Sequence, residues 1–305
     1  MGYKVVEHKH IRWVDIGHPS SENIRRLGKE FPQFHPLALE DCYSHMERPK
    51  IDDYDDHLFI VMQFPLWDAS NRISRSAEVD IFIGKGFLVT VHRGELTPIN
   101  KFRERLIENE DERDRSMRQG ASRLMHDVID RLVDYLFPIL AKVDINILNI
   151  EDSIFSVDTR KIVREISFVR RDIIALRRII RPQVLILANL ENIDRPFIRD
   201  DLDDYFGDIL DHLTKARDII EDDAEMIIAL ADTTDTLSSY RINEVMRTLT
   251  IISVIMLPMT LVTGIFGMNV PLPFQKSASS LFGILGIMLV ISCGMLAYFR
   301  HKHWL

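Results

Sequence analysis

The stretch "LTIISVIMLPMTLVTGIFGMN", Leu249–Asn269, carries no ionisable side chain, in a chain that holds 38 Lys and Arg and 46 Asp and Glu among 305 residues. It lies in an uncharged run that begins at Thr248, and a second such run covers 281–299. At ~1.5 Å per residue, each can cross a hydrocarbon layer ~30 Å thick. A core helix of a soluble protein would interleave polar residues, so both runs are read as membrane spans. The near-neutral mean hydropathy of −0.02 conceals this division.

Orientation follows from the flanks. The opening "MGYKVVEHKHIRW" is charged and has no apolar core of signal length, so the N-terminal part is expected to stay in the cytoplasm. Arg241 and Arg247 precede the first span, Arg300 and Lys302 follow the second, and the connection "NVPLPFQKSASS" has Lys276 alone. The positive-inside rule then gives a multi-pass protein of the cytoplasmic membrane with both termini in the cytoplasm. Cys42 and Cys293 lie in different parts and form no disulfide framework. A net charge of −8 argues against nucleic acid as a partner.

The expected organisation is a cytoplasmic α/β domain (1–115), a long-helix stalk (116–247), a pore-lining span (248–267), an external loop (268–280), a second span (281–299) and a basic tail (300–305). "LFIVMQF" (58–64), "EVDIFIG" (78–84) and "FLVTVH" (87–92) read as strands, the last two joined by a hairpin at Lys85-Gly86. "SSENIRRLGKEF" and "PINKFRERLIENEDER" read as helices, as does "RLMHDVIDRLVDYLFPILAKVDINILNIEDSIF". From near Asp200 to Asn269 a single helix of about 60 residues would run ~90 Å, so the stalk continues into the membrane.

Charge is segregated: "RKIVREISFVRRDIIALRRIIRP" is basic, while "RDDLDDYFGDILDH" and "DIIEDDAE" are acidic. Such faces can simply pair between helices for little net energy. Alternatively, acidic clusters at a subunit boundary hold a hard cation such as Mg²⁺ or Ca²⁺.

Two spans cannot enclose a water-filled path, so conduction would require a closed ring of copies. Asn243, Met246, Leu249, Ser253, Leu257 and Gly264 recur at helical spacing on one uncharged stripe. Rings of Met246 and Leu249 could close a pore by dewetting, although the same spacing also serves ordinary packing. Gly267 can end the helix in a left-handed or otherwise unusual backbone conformation, which leaves the neutral amide of Asn269 at the mouth. Mg²⁺ sheds water reluctantly, and neutral acceptors suit its hydrated form.

With Gly-Met-Asn at this place, "NEVMRTLTIISVIMLPMTLVTGIFGMN", "FHPLALEDCYSHMERPKIDDYDDHLFIV" and the tail "HKHWL" resemble the CorA family of divalent-cation channels. The resemblance implies a funnel-shaped homopentamer embedded in lipid. It also implies Mg²⁺ influx driven by the membrane potential, worth ~2.3 kcal/mol per charge per 100 mV. By the same resemblance, Gly267, Met268 and Asn269 form the selectivity ring. Asn243, Met246, Leu249, Ser253 and Leu257 line the pore, with Asp232 at its inner mouth. Asp41 faces Asp208 of a neighbouring subunit across a regulatory Mg²⁺, with Glu40 and Asp211 beside them.

The external loop, however, lacks the acidic residue many members carry, which leaves Zn²⁺, Co²⁺ or Ni²⁺ open as cargo. His8 with His10, and His301 with His303, are read as solvent- or headgroup-facing. A membrane-tethered structural or signalling protein is the rival class. No His, Ser, Cys or Lys cluster has catalytic spacing, so no enzyme is expected.

Overall fold

The computed structural model describes residues 2–43, 46–155, 158–191, 195, 197, 203–268 and 278–304. The chain divides into two compact units, Met1–Ala231 and Asp232–Leu305.

The first unit is built on β1 (Tyr3–His8), β2 (Ile11–Gly17), β3 (Lys50–Asp53), β4 (His57–Asp68), β5 (Ile73–Gly84) and β6 (Phe87–His92). These form a six-stranded sheet in the order β1-β2-β6-β5-β4-β3. Only the β2–β6 pair is parallel. Gly84 pairs with Phe87 across the expected turn, where Gly86 takes φ +84°, a conformation open to glycine.

Helices α1 (Ser21–Glu30) and α2 (Pro36–Asp41) cover one face of the sheet. Leu27, Phe31 and Phe34 pack there on Phe59, Phe82 and Val89, with Phe34 stacked 4.2 Å from Phe82. Helices α3 (Thr97–Glu108), α4 (Glu110–Met117), α5 (Ala121–Asp134), α6 (Leu136–Ser153) and α7 (Thr159–Glu191) follow. Both α5 and α7 contact the sheet strands. Burial on both faces explains why β4 reads as a continuous apolar run rather than an alternation.

Two expected helices are interrupted. The segment beginning "PINKF" breaks at Asn109, whose extended backbone lets its side chain accept from Glu112 N–H at 3.1 Å and cap α4. The long helix through 135 breaks between α5 and α6. Pro138, in the first turn of α6, has no N–H to return to Asp134, and its ring would crowd that carbonyl.

One buried polar network ties α3 to the sheet. Asp15, only 1% exposed, accepts from Thr90 Oγ1 at 2.5 Å and from His92 Nε2 at 3.1 Å, and it pairs with the Arg103 guanidinium. Trp13 Nε1 donates to Thr90 at 3.0 Å. Burial alone would raise the Asp15 carboxyl. The hydrogen bonds and charge of His92, with Thr90 and Arg103, outweigh it and hold the group below the usual carboxylate range.

Helix α8 (Asp203–Phe266, 64 residues) supplies its early turns to the first unit, and the second unit contains the remainder together with α9 (Ala278–His301). The apolar windows of α8 and α9 are almost entirely exposed, unlike the core helix of a soluble domain. A Cβ added at Gly264, Gly283, Gly286 or Gly294 would meet nothing within 4 Å.

Candidate cation sites and conduction path

Helix α2 places Asp41 at its C-terminal end. His35 caps the helix by accepting from Leu37 N–H at 3.2 Å, Pro36 occupies the first turn, and Cys42 N–H closes onto Ala38 O at 3.3 Å. Asp41 Oδ2 then lies 2.8 Å from Lys50 Nζ of β3, and the same ammonium is 2.9 Å from Asp52. Partial burial disfavours that charge, yet the hydrogen bonds to Asp41 and Asp52 prevail and hold Lys50 above the ordinary lysine value. Glu40 is exposed.

Behind Asp41 the wall is acidic. Burial pushes Glu78 up to about 7 despite its hydrogen bond from Glu47 N–H, and burial followed by the Glu78 charge raises Asp80 well above the usual carboxylate range.

Asp208 and Asp211 are exposed on α8. The described interactions join neither of them to Asp41, which is held by its own Lys50. The structure adds a group the sequence reading missed. Asp130 and Asp134 of α5 and His212 of α8 offer ligand atoms that all lie within 4.8 Å of one another. Burial, and then the charge of Asp134, raises Asp130. His212 packs edge-on against Phe137 with ring centroids 6.2 Å apart, and its Nδ1 is buried with no hydrogen-bond partner. A signal was available in the i, i+4 acids of "DRLVD" and in the His that ends "DILDH". Asp208 stands one helical turn before His212 and so falls on the same side of α8. Two carboxylates and an unpartnered imidazole form a donor set that suits a divalent cation.

In the second unit, Asp232, Asn243, Met246, Leu249, Ser253, Leu257 and Gly264 are all exposed. Thr250, Thr260 and Thr263 return their hydroxyls to the carbonyls of Met246, Met256 and Met259, so the span leaves these groups satisfied internally. Helix α8 ends with Gly267 N–H donating to Thr263 O at 2.8 Å and Met268 N–H to Ile265 O at 3.3 Å. Gly267 does not take the left-handed form, one of the two expected for it. Its constraint is steric, because a Cβ there would sit 3.0 Å from the Thr263 carbonyl. Asn269 lies outside the described residues.

The family described as "CorA-like Mg2+ transporter protein" matches residues 8–301. The chain belongs to that family. It is 37% identical over 294 residues to YfjQ of Bacillus subtilis, covering 96% of this chain and 89% of that protein. To the cobalt/magnesium transport protein CorA of Thermotoga maritima it is 30% identical over 295 residues, covering 96% and 83%. The zinc transport protein ZntB of Pectobacterium carotovorum is 20% identical over 261 residues, covering 85% and 77%. The complete structure of the CorA magnesium transporter from Methanocaldococcus jannaschii matches with a TM-score of 0.87 at 20% identity, over 98% of this chain and 93% of that one. CorA proteins are membrane transporters rather than enzymes, and the α/β domain, long helix and two C-terminal apolar helices are the CorA fold.

The basic tail of this CorA chain docks on its own α8. Arg247 donates to the carbonyl of His303 and lies 5.8 Å from the centre of the Trp304 ring, which stacks 5.8 Å from Phe299. His303 reaches this turn at φ +56°. The tail is thus fastened to the turn of α8 that also carries Met246, the residue read with Leu249 as the constriction. Of the N-terminal histidines, His10 is exposed as expected and His8 differs. His8 does not face solvent but bonds Asp114 of α4 through Nε2 at 2.8 Å.

Proposed function

We propose that this CorA chain forms a homopentameric Mg²⁺ channel in the cytoplasmic membrane. The stripes of α8 line its axis, Gly267, Met268 and Asn269 form its outer filter, and cytoplasmic Mg²⁺ regulates it by binding between Asp41 and Asp208 of adjacent subunits. One observation carries the reading. Among the described residues, an uncharged stripe from Asn243 to Gly264 is exposed along the helix that leads to Gly-Met-Asn. A ring of copies needs such an uncharged face along its axis, where rings of Met246 and Leu249 can close the path by dewetting.

Regulation begins from a neutralised site. Lys50 supplies Asp41 with a tethered counter-charge, and Asp52 at 2.9 Å offers the ammonium somewhere to go when Mg²⁺ arrives. The ion, with Asp130, Asp134 and His212 as a second station one turn beyond Asp208, stabilises the closed ring because it binds that state better. Lys50→Met therefore removes a competitor. Half-inhibition of transport should move to a severalfold lower cytoplasmic Mg²⁺ concentration, with the maximal rate retained. An unchanged inhibition curve would remove Lys50 from the mechanism.

A second reading, transport of Zn²⁺, Co²⁺ or Ni²⁺, is favoured by His212, since imidazole suits these ions better than Mg²⁺. Purified protein in liposomes separates the two. With an inside-negative potential, entrapped indicators should report Mg²⁺ entry that stops when the potential is collapsed. Zn²⁺ entry indifferent to the potential but driven by a proton gradient would assign the protein to zinc, and flux of neither ion would leave the tethered-domain reading.

A further inference from the structure

Asp223 of α8 is 3% exposed, and its Oδ2 has no hydrogen-bond partner. Its neighbour is another acid, Asp144 of α6, whose carboxyl is within hydrogen-bonding reach. Asp144 itself is exposed, so the pair has one wet end and one dry end.

The charged groups around the pair offer no relief. Besides Asp144, the group acting on Asp223 is Asp222 of α8, a third acid. On α7, Arg177 and Arg181 are both committed to Glu221, at 2.5 and 2.7 Å. Two carboxylates in this setting cannot both stay ionised at close range without a proton or a cation between them. Among the described residues, the three-residue group with metal-ligand spacing is Asp130, Asp134 and His212, which includes neither member of this pair.

We infer that Asp144 and Asp223 form a proton-binding site that joins α6 to α8 when occupied. A single proton converts two repelling carboxylates into one hydrogen-bonded pair, with exchange through the exposed Asp144. Burial first, and then Asp144, pushes the Asp223 carboxyl up to about 7. When the helices part there, Asp223 returns to the ordinary value of about 4. Between those two values the joined arrangement binds the extra proton, so it weakens about tenfold for each pH unit gained and levels off above about 7. Joining should thus be about tenfold stronger near pH 6 than near pH 8. Cytoplasmic acidification would tighten the packing of the helix that also carries Asp208 and His212.

The test is infrared difference spectroscopy of the full-length protein in lipid, acid minus alkaline across neutral pH, with thermal unfolding followed in parallel. Glu78 titrates in the same range, so the assignment rests on what a variant removes. Asp223→Asn keeps the shape and one hydrogen bond but has no proton to exchange. The expected result is a protonated-carboxyl band in the wild type, one component of which is lost in both Asp223→Asn and Asp144→Asn. The wild-type midpoint should fall between about pH 6 and pH 8 more steeply than that of Asp223→Asn. A band unchanged by both substitutions overturns the inference, as does a component that disappears on adding Mg²⁺ at constant pH, which would assign the pair to a cation. Neither measurement depends on transport, so the outcome is independent of the channel reading.

Discussion

Asn269→Ala should reduce potential-driven Mg²⁺ entry into liposomes to less than about a tenth of the wild-type rate, with the protein still folded and inserted. The substitution removes a neutral acceptor just beyond the last turn of α8, where Gly267 and Met268 close the helix. Each amide lost from a closed ring forfeits about 1 kcal/mol of hydrogen bonding to a hydrated ion, and each ~1.4 kcal/mol is tenfold in rate. Several copies acting on one ion should exceed that threshold. Glutamate at the same place distinguishes acceptor chemistry from shape: it should bind the ion but release it slowly, so that entry saturates at low Mg²⁺. Wild-type flux through Asn269→Ala would place the filter elsewhere.

Asp15→Ala should cost about 3–5 kcal/mol, the usual consequence of removing one partner from a buried ion pair. Arg103, 5% exposed and with its Nε already unpartnered, would lose its buried counter-charge and keep only Asn100 at 3.0 Å and the more distant Glu104 at 3.7 Å, and Thr90 and His92 would lose their acceptor. Set against a total stability of about 5–15 kcal/mol, this threatens the first unit as a whole. Denaturant melts of the two proteins compare the midpoints. The pH dependence has a definite sign. Because the Asp15 carboxyl is held below its unfolded value, its contribution is fully present above about pH 4 and is lost as pH falls through the lower, folded value. The variant should lack that part of the acid limb, and an identical acid profile in both proteins would mean the network does not stabilise the fold.

The spans, the stalk and the three apolar strands were legible because each is long or strongly patterned. What was not legible depends on pairing across the chain. β1 and β3 interleave Lys, Glu, His and Asp, and become strands because a neighbour with matching register exists. The breaks at Asn109 and Tyr135 hinge on single capping and proline effects within otherwise helical periodicity. Of the candidate residues, the stripe from Asn243 to Leu257 could be read from spacing, since one helix carries it all. The grouping of Asp130 and Asp134 with His212 could not, because residues some 80 positions apart meet only when α5 packs on α8. Lys50 was passed over for the same reason: nothing in "RPKIDD" announces that its ammonium returns to the end of α2.

Gly264, Gly283, Gly286 and Gly294 have empty space where a methyl group would project. Within one protomer, alanine at any of them would collide with nothing among the described residues, and alanine is the better helix former by up to ~1 kcal/mol. The protomer thus forgoes stability at four places for no internal return. Inside a bilayer, where apolar lipid tails already satisfy apolar side chains, bare backbone is useful for letting a second helix come near. In the proposed ring these glycines would be the imprint of a neighbour: the single chain would carry, in what it omits, the outline of the surface that lies against it.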